Sequence, residues 1–151
     1  MVNIELESME LNYITYQGSP SNTAHGIHTF SLIKYFVKNG LNVKLTFPLR
    51  EQDATADLKK LQKHYEIDED FKIYATKHYL PFGRIKLFEK YLYLLSHILW
   101  SYYISRKYKK NSTEIVFTLS DWVFYFLSKK NINVTYECHD LTSLRKKLIN
   151  K

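Results

Sequence analysis

The strongest constraint on the fold is one unit near the start of the chain, residues 13–48, in which a strand, a polar loop, a helix and a second strand follow in turn. The apolar residues of TFSLIKYFVK recur at helical spacing, and Gly40 supplies a stop for that helix. Val43, Leu45 and Phe47 then alternate as they do in a strand. Elements joined this closely predict two parallel strands with a crossover helix between them.

The same alternation continues to the end of the chain. We predict strands at 12–17, 41–48, 71–76, 114–119 and 133–137, and helices at 28–38, 56–66, 85–109, 122–130 and 141–151. This order predicts an α/β, Rossmann-like, doubly wound domain whose mostly parallel sheet is covered on both faces. With 151 residues and no linker, the chain is expected to be one domain, 1–151. Because a doubly wound sheet usually continues with a further strand, this sheet is expected to be truncated.

The composition is that of a folded protein from a reducing compartment. Hydrophobic residues make up 45% of the chain and charged residues 25%, which is not a disordered composition. The single cysteine, Cys138, excludes an internal disulfide and a multi-cysteine metal site. Glu5 and Glu7 stand where a secretory signal would carry Lys and a long apolar run. We therefore predict a cytoplasmic protein.

The loop before the first helix predicts ligand binding. A loop of small residues that opens on a helix N-terminus brings backbone N–H groups close to phosphates and sugar hydroxyls. The candidate substrate-binding residues in this segment are Ser21, Asn22, Thr23, His25, Gly26 and His28. The loop fits neither GxGxxG nor GxxxxGK[ST], so the sequence does not predict a dinucleotide site or a P-loop. An ordinary connection with Ser and Thr as helix caps is the alternative.

Two histidines of this loop are three positions apart, but they do not predict a metal site. His25 and His28 have no paired carboxylate in the pattern, and a metal centre needs more ligands than two. We predict no metal and no cofactor.

A second group of ionisable residues ends the last predicted strand, VTYECHD at 134–140. Glu137 and His139 fall on one face of that strand, since side chains alternate at a period of two. The carboxyl ends of the strands form the functional edge of an open α/β sheet, so both are candidate site residues. Asp140 joins them, with the alternative role of capping a helix that begins at Leu141.

About two thirds of the chain resembles a known family, with residues 53–111 not distinctive, and two runs carry the match. The run SNTAHGIHTFSLIKYFVKNGLNVKLTFPLR looks like the opening of the retaining glycosyltransferases of family 4, which have the GT-B fold. The family's pattern of His, Phe, Gly and Pro stands here as His28, Phe36, Gly40 and Pro48. The run EIVFTLSDWVFYFLSKKNINVTYECHD is similar to the family's later strand-helix-strand, which often reads "TRS … YE.HD". These positions are Thr118, Leu119 and Ser120, followed by Tyr136, Glu137, His139 and Asp140. Leu119 departs from the pattern, because an Arg is common at its position.

The resemblance implies the acceptor-side, N-terminal domain of a glycosyltransferase. Such an enzyme transfers a sugar from a nucleotide-sugar to a cell-surface or lipid-linked glycan, with retention and without a metal. His139, our catalytic candidate, would lie near the transferred sugar, where it would stabilise developing charge. The family's C-terminal donor-binding domain is absent from this sequence. We therefore expect the isolated chain to lack full activity and to need a separate donor-binding chain.

The region 84–110 predicts a surface for an anionic partner. It carries seven Lys or Arg against one acidic residue, Glu89, and residues 91–105 have no formal charge. The candidate membrane- or partner-docking residues are Trp100, Arg106, Lys107, Lys109 and Lys110. Because fifteen residues do not span a bilayer, we expect a peripheral position at the inner membrane face.

Two other interpretations of this region stay open. The chain would be a non-catalytic membrane- or partner-docking module, or the helix would belong to the core and have solvated ends. Its charge does not predict nucleic-acid binding, since neither an RNP-type motif nor a helix-turn-helix pattern occurs.

Overall fold

The computed structural model describes residues 10–78 and 89–138, which form a five-stranded parallel sheet with helices on both faces. The elements in chain order are β1 (Glu10–Ile14), α1 (Ala24–Lys38), β2 (Asn42–Leu49), α2 (Leu58–Tyr65), β3 (Lys72–Lys77), α3 (Glu89–Ser105), β4 (Ile115–Thr118), α4 (Asp121–Ser128) and β5 (Asn133–Tyr136). The strand order is β3-β2-β1-β4-β5, and each pairing is parallel. The predicted α/β class is confirmed, and the architecture is consistent with a Rossmann-like fold. The helix expected at 141–151 lies outside the described residues.

The two faces of the sheet carry two separate cores because side chains alternate along each strand. Tyr13 points to the face covered by α1 and α2, where it is buried with Phe30 and Leu61. Ile14 points to the face covered by α3 and α4, where it is buried with Ile104 and Val123. The alternation of side chains along the strands therefore determines which residues enter each core.

The first helix begins one turn earlier than predicted. Thr23 has an extended backbone (φ −74°, ψ 154°), and its Oγ1 accepts a hydrogen bond of 3.2 Å from the N–H of Gly26. This is the geometry of an N-cap, so the helix starts at Ala24 instead of His28. The prediction was wrong because it followed the apolar spacing, whereas the capping side chain sets the start. His25, Gly26 and His28 consequently lie on the helix.

The long third helix ends earlier than predicted. It stops at Ser105 instead of position 109, because the chain then tightens into a turn in which the N–H of Tyr108 donates to the carbonyl of Ser105 at 3.2 Å. Lys130 Nζ donates to the carbonyls of Ser105 and Tyr108 at 2.6 and 3.0 Å. A cation on these carbonyls stabilises the negative end of the helix dipole.

The side chains around this helix end separate into core and surface. Trp100 is 5% exposed, and its Nε1 donates to Thr76 Oγ1 at 2.7 Å. The assignment of Trp100 to a docking surface is therefore wrong, since its ring packs between the helix and the sheet. The four cations of that assignment, Arg106, Lys107, Lys109 and Lys110, follow the helix and are exposed. Within the described ranges, no helix has the length and apolar character needed to cross a membrane.

Candidate ligand-binding crevice

The sheet changes direction between β1 and β4. From β1 the chain passes to β2 and β3 on one side of the sheet, and then returns to place β4 and β5 on the other side. The segments that leave the carboxyl ends of β1 and β4 therefore diverge to opposite faces. In open α/β sheets this switch point leaves a crevice in which ligands bind.

A crevice of about 370 Å³ lies at this switch point, within the range of small-molecule sites. It is bounded by the segments that follow β1, β2 and β4, by the first turn of α1 and by one face of α3. The lining residues are Thr15, Tyr16, Gln17, Thr23, His25, Arg50, Tyr93, His97, Leu119 and Ser120. The predicted site residues Thr23 and His25 belong to it.

Side-chain hydrogen bonds hold the loop beside the crevice in place. Gln17 Nε2 donates to Ser21 Oγ at 2.6 Å and to Thr23 Oγ1 at 2.5 Å. The hydroxyl of Tyr65 accepts from the N–H of Ser21 at 2.6 Å and donates to the carbonyl of the same residue at 3.1 Å. Burial raises the pKa of the Tyr65 phenol, which favours the protonated form that can make both bonds. Ser21 is thereby fixed, while Asn22 is exposed.

Gly26 shapes this loop and does not offer a free backbone donor. A Cβ on Gly26 would lie 2.5 Å from the carbonyl oxygen of Ser21 and 3.1 Å from the hydroxyl of Tyr65. Its N–H is already taken by the Thr23 cap. The expectation that Gly26 lets a ligand approach the backbone is therefore replaced by a packing role: only a residue without a side chain fits against Ser21.

Arg50 brings a permanent positive charge into the crevice. Its guanidinium, whose side chain is 15% exposed, lies over the rings of Tyr16 and Tyr93, 5.0 and 5.3 Å from their centroids. Arg50 Nε donates to Glu51 Oε1 at 2.5 Å. Burial opposes the charge, but the hydrogen bond and charge of Glu51 and the contact with Tyr93 outweigh it and raise the pKa of Arg50. The guanidinium therefore remains charged.

A stacked pair forms the wall of the crevice on the α3 side. The rings of Tyr16 and His97 lie 4.1 Å apart and within 9° of parallel. His97 Nε2 and Ser120 Oγ share a hydrogen bond of 2.7 Å, and Ser120 is the N-cap of α4. The Tyr16 hydroxyl is bonded to Ser96 at 2.7 Å and to His78 at 3.0 Å. This network holds two imidazole rings and a hydroxyl in fixed positions at the edge of the sheet.

His25 and His28 occupy different places on the first helix. His25 Nε2 shares a hydrogen bond of 3.4 Å with Thr15 Oγ1 and faces the crevice. His28, one turn later, meets Glu137 beside the crevice, with 2.9 Å between Nε2 and Oε1. Glu137 is held there by its own backbone, since its N–H donates to the carbonyl of Thr118 at 3.0 Å. The sequence predicted Glu137 together with His139, and the structure joins Glu137 to His28 of α1.

Two predicted site residues, His139 and Asp140, lie outside the described residues. In the ranges 10–78 and 89–138, no three His, Cys, Asp or Glu side chains come together as a metal site.

Arg50, His97 and Ser120 line the crevice but were not predicted as site residues, although Ser120 belongs to the run that carries the family resemblance. Arg50 follows β2 directly, so the rule that ligands bind after the carboxyl ends of strands would have found it. The SDWV segment that opens α4 carries a capping signal at Ser120. His97 lies within a helix without a motif, and only the packing of α3 on the sheet brings it to the crevice.

Comparison with known proteins found no matching family model, no matching curated protein and no matching solved structure. The class that the fold and the crevice define is an α/β protein with a five-stranded parallel sheet, consistent with a Rossmann-like fold and with a polar crevice at its switch point, where the charge of Arg50 is paired with Glu51.

Proposed function

We propose that this chain is the acceptor-side half of a glycosyltransferase and that the switch-point crevice binds the acceptor. The observation that carries the proposal is the crevice itself, which joins Arg50, His25 and the start of α1 at the carboxyl edge of the sheet. The resemblance of residues 21–50 and 114–140 to glycosyltransferases of family 4 supports the sugar-transfer chemistry.

The lining suits a hydroxyl-rich ligand that carries an anionic group. The positive end of α1 attracts a phosphate or a carboxylate, and the guanidinium of Arg50, which is paired with Glu51, adds N–H donors beside it. His25, His97 and Ser120 offer donors and acceptors that match sugar hydroxyls. Tyr16 and Tyr93 add aromatic surface beside them, so a phosphorylated or lipid-linked glycan is the acceptor class that we propose.

The donor sugar comes from a second domain or chain in this proposal. A nucleotide-sugar held from one side only would be poorly positioned for transfer. A separate donor-binding chain closes the cleft over the crevice. The bond between the anomeric carbon and the nucleotide phosphate breaks, the acceptor oxygen bonds to that carbon with retention, and the nucleotide leaves with the hydroxyl proton. We assign His139 to the stabilisation of charge that develops during this transfer, and Glu137 and Asp140 to its surroundings.

Reconstitution tests this function. The purified chain is mixed with a panel of nucleotide-sugars and with phosphorylated or lipid-linked acceptors, with and without candidate donor-binding chains, and sugar transfer is measured by mass spectrometry. We expect transfer only when both chains are present. The H139A variant should reduce the rate constant for transfer by at least about tenfold while acceptor binding persists.

One control variant and two contradicting outcomes make the experiment decisive. K63Q changes an exposed residue of α2 and should leave transfer unchanged. Folded chain that binds no acceptor in the panel would contradict the proposal. Equal transfer rates for wild type and H139A would remove His139 from it.

A further inference from the structure

The outer surface of α3 is apolar although it faces solvent. Five residues of this surface, each at least half exposed (50–73%), form the outer stripe of α3: Tyr91, Leu95, Leu99, Tyr102 and Tyr103. From Tyr91 to the end of the helix no residue carries a formal charge. A helix on the surface of a soluble protein normally presents charged residues to water. This apolar stripe is therefore suited to contact with a partner or a membrane.

A cluster of cations follows the stripe directly. Arg106, Lys107, Lys109 and Lys110 are exposed and come immediately after the helix. Lys107 Nζ lies over the rings of Tyr74 and Tyr103, 4.1 and 4.9 Å from their centroids, which joins the cluster to the stripe. Burial, helped by the charge of Lys44, lowers the pKa of Lys107.

From this juxtaposition we infer that α3 docks the protein on an anionic lipid surface. The outer stripe enters the interface between head groups and acyl chains, and the cations contact the lipid phosphates. Tyrosine suits that position because its ring is apolar and its hydroxyl stays in water. The 17 residues of α3 span about 25 Å at the helical rise, less than the hydrocarbon thickness, so the helix lies along the surface.

Charge favours an anionic lipid surface over a second copy of the chain as the partner of the outer stripe. A symmetric dimer that paired the two outer stripes in parallel would bring two copies of the cation cluster towards each other, and like charges oppose that contact. A bilayer that contains anionic lipid complements the cluster instead. The docking surface lies on α3 and does not depend on the proposed ligand of the crevice.

Vesicle flotation with the full chain tests the inference. We expect the wild-type chain to bind vesicles of equal parts phosphatidylcholine and phosphatidylglycerol, and to bind neutral phosphatidylcholine vesicles far less. The triple variant R106Q/K109Q/K110Q should weaken binding to anionic vesicles by roughly a hundredfold, since each basic residue near the surface contributes roughly fivefold. K59Q/K60Q/K63Q removes the same charge from α2, on the other side of the sheet, and should retain most of the binding.

A second pair of variants tests the apolar stripe. Y91S/L95S should weaken vesicle binding by about tenfold or more. Its matched control, I27S/Y35S, removes one exposed aliphatic residue and one exposed tyrosine from α1 (56% and 62% exposed) and should bind as the wild type does.

Three results would overturn the inference. The first is folded wild-type protein that does not bind anionic vesicles. The second is an α2 control that loses as much binding as R106Q/K109Q/K110Q, and the third is an α1 control that loses as much binding as Y91S/L95S. Light scattering adds an alternative outcome: a dimer that Y91S/L95S dissociates, without vesicle binding, would assign the stripe to a second copy of the chain.

Discussion

His28 on α1 and Glu137 at the end of β5 stand 109 positions apart, and their side chains meet with 2.9 Å between Nε2 and Oε1. Both are about one-third exposed, at 38% and 31%. The pair connects the first crossover helix to the last described strand at the edge that carries the crevice. A solvated pair of this kind orients side chains more than it stabilises the fold.

The pair should contribute little to global stability. Replacing Glu137 with Gln is expected to lower the free energy of unfolding by no more than about 1 kcal/mol, because water screens the charge and solvates the imidazole that remains. Urea denaturation of wild type, H28Q, E137Q and the double variant would measure the coupling energy between the two residues. A loss above about 3 kcal/mol would instead indicate a buried pair.

Gly26 should tolerate no side chain. Gly26→Ala places a Cβ 2.5 Å from the carbonyl oxygen of Ser21, which must then move together with Tyr65. We expect a loss of about 1–3 kcal/mol in the free energy of unfolding, although Ala is the better helix former by about 1 kcal/mol. Urea denaturation shows whether the free energy of unfolding falls or rises. Ser31→Ala, at an exposed position of the same helix, is the control. A stabilised Gly26→Ala protein would show that the loop is not packed as described.

Trp100 should report a buried environment, with or without lipid. Trp122→Phe leaves Trp100 as the only tryptophan, and its ring is enclosed between α3 and the sheet. We expect weak acrylamide quenching of its fluorescence and no change in emission when anionic vesicles are added. Strong quenching in buffer, or a spectral shift on vesicle binding, would return Trp100 to the docking surface.

Stability should fall at alkaline pH because of Tyr13. This residue is fully buried, and burial raises the pKa of its phenol above the unfolded value of about 10. Above that pH the unfolded chain releases the Tyr13 proton while the folded chain keeps it, so stability is retained below pH 10 and lost as pH rises further. The loss is about 1.4 kcal/mol per pH unit for this one group.

The variant Tyr13→Phe isolates that contribution. Its free energy of unfolding, measured by urea denaturation from neutral pH upwards, should decline less steeply than that of the wild type. Parallel curves would mean that Tyr13 does not titrate with unfolding.

The sequence predicted the architecture because the alternation of strands and helices, and the period-two pattern within the strands, depend on burial alone. It misplaced the ends of two helices, because individual side-chain contacts determine where those helices begin or end. Thr23 caps α1 through one side-chain bond, and Lys130 reaches the end of α3 from a distant segment. Neither contact leaves a periodic signal, so the ends of both helices differed from the prediction.

The candidate crevice contains only some of the predicted residues for the same reason. Thr23 and His25 line it, and they were predicted because they open a helix after a strand. Trp100 was assigned to the surface since aromatic and basic residues adjoin in the sequence, whereas the helical repeat turns its ring inward. Tertiary packing alone brings His97 to Ser120, and therefore no pattern in the sequence reveals their contact.

Calorimetric titration of wild type, Arg50→Gln and Lys63→Gln with glycans that carry a phosphate asks whether the crevice binds the proposed acceptor. We expect saturable binding to wild type and to Lys63→Gln, with affinity reduced by at least about tenfold in Arg50→Gln, because a charge-assisted hydrogen bond contributes about 1.5–3 kcal/mol. Binding that is unchanged in Arg50→Gln, or absent from folded wild-type protein, would contradict acceptor binding in the crevice.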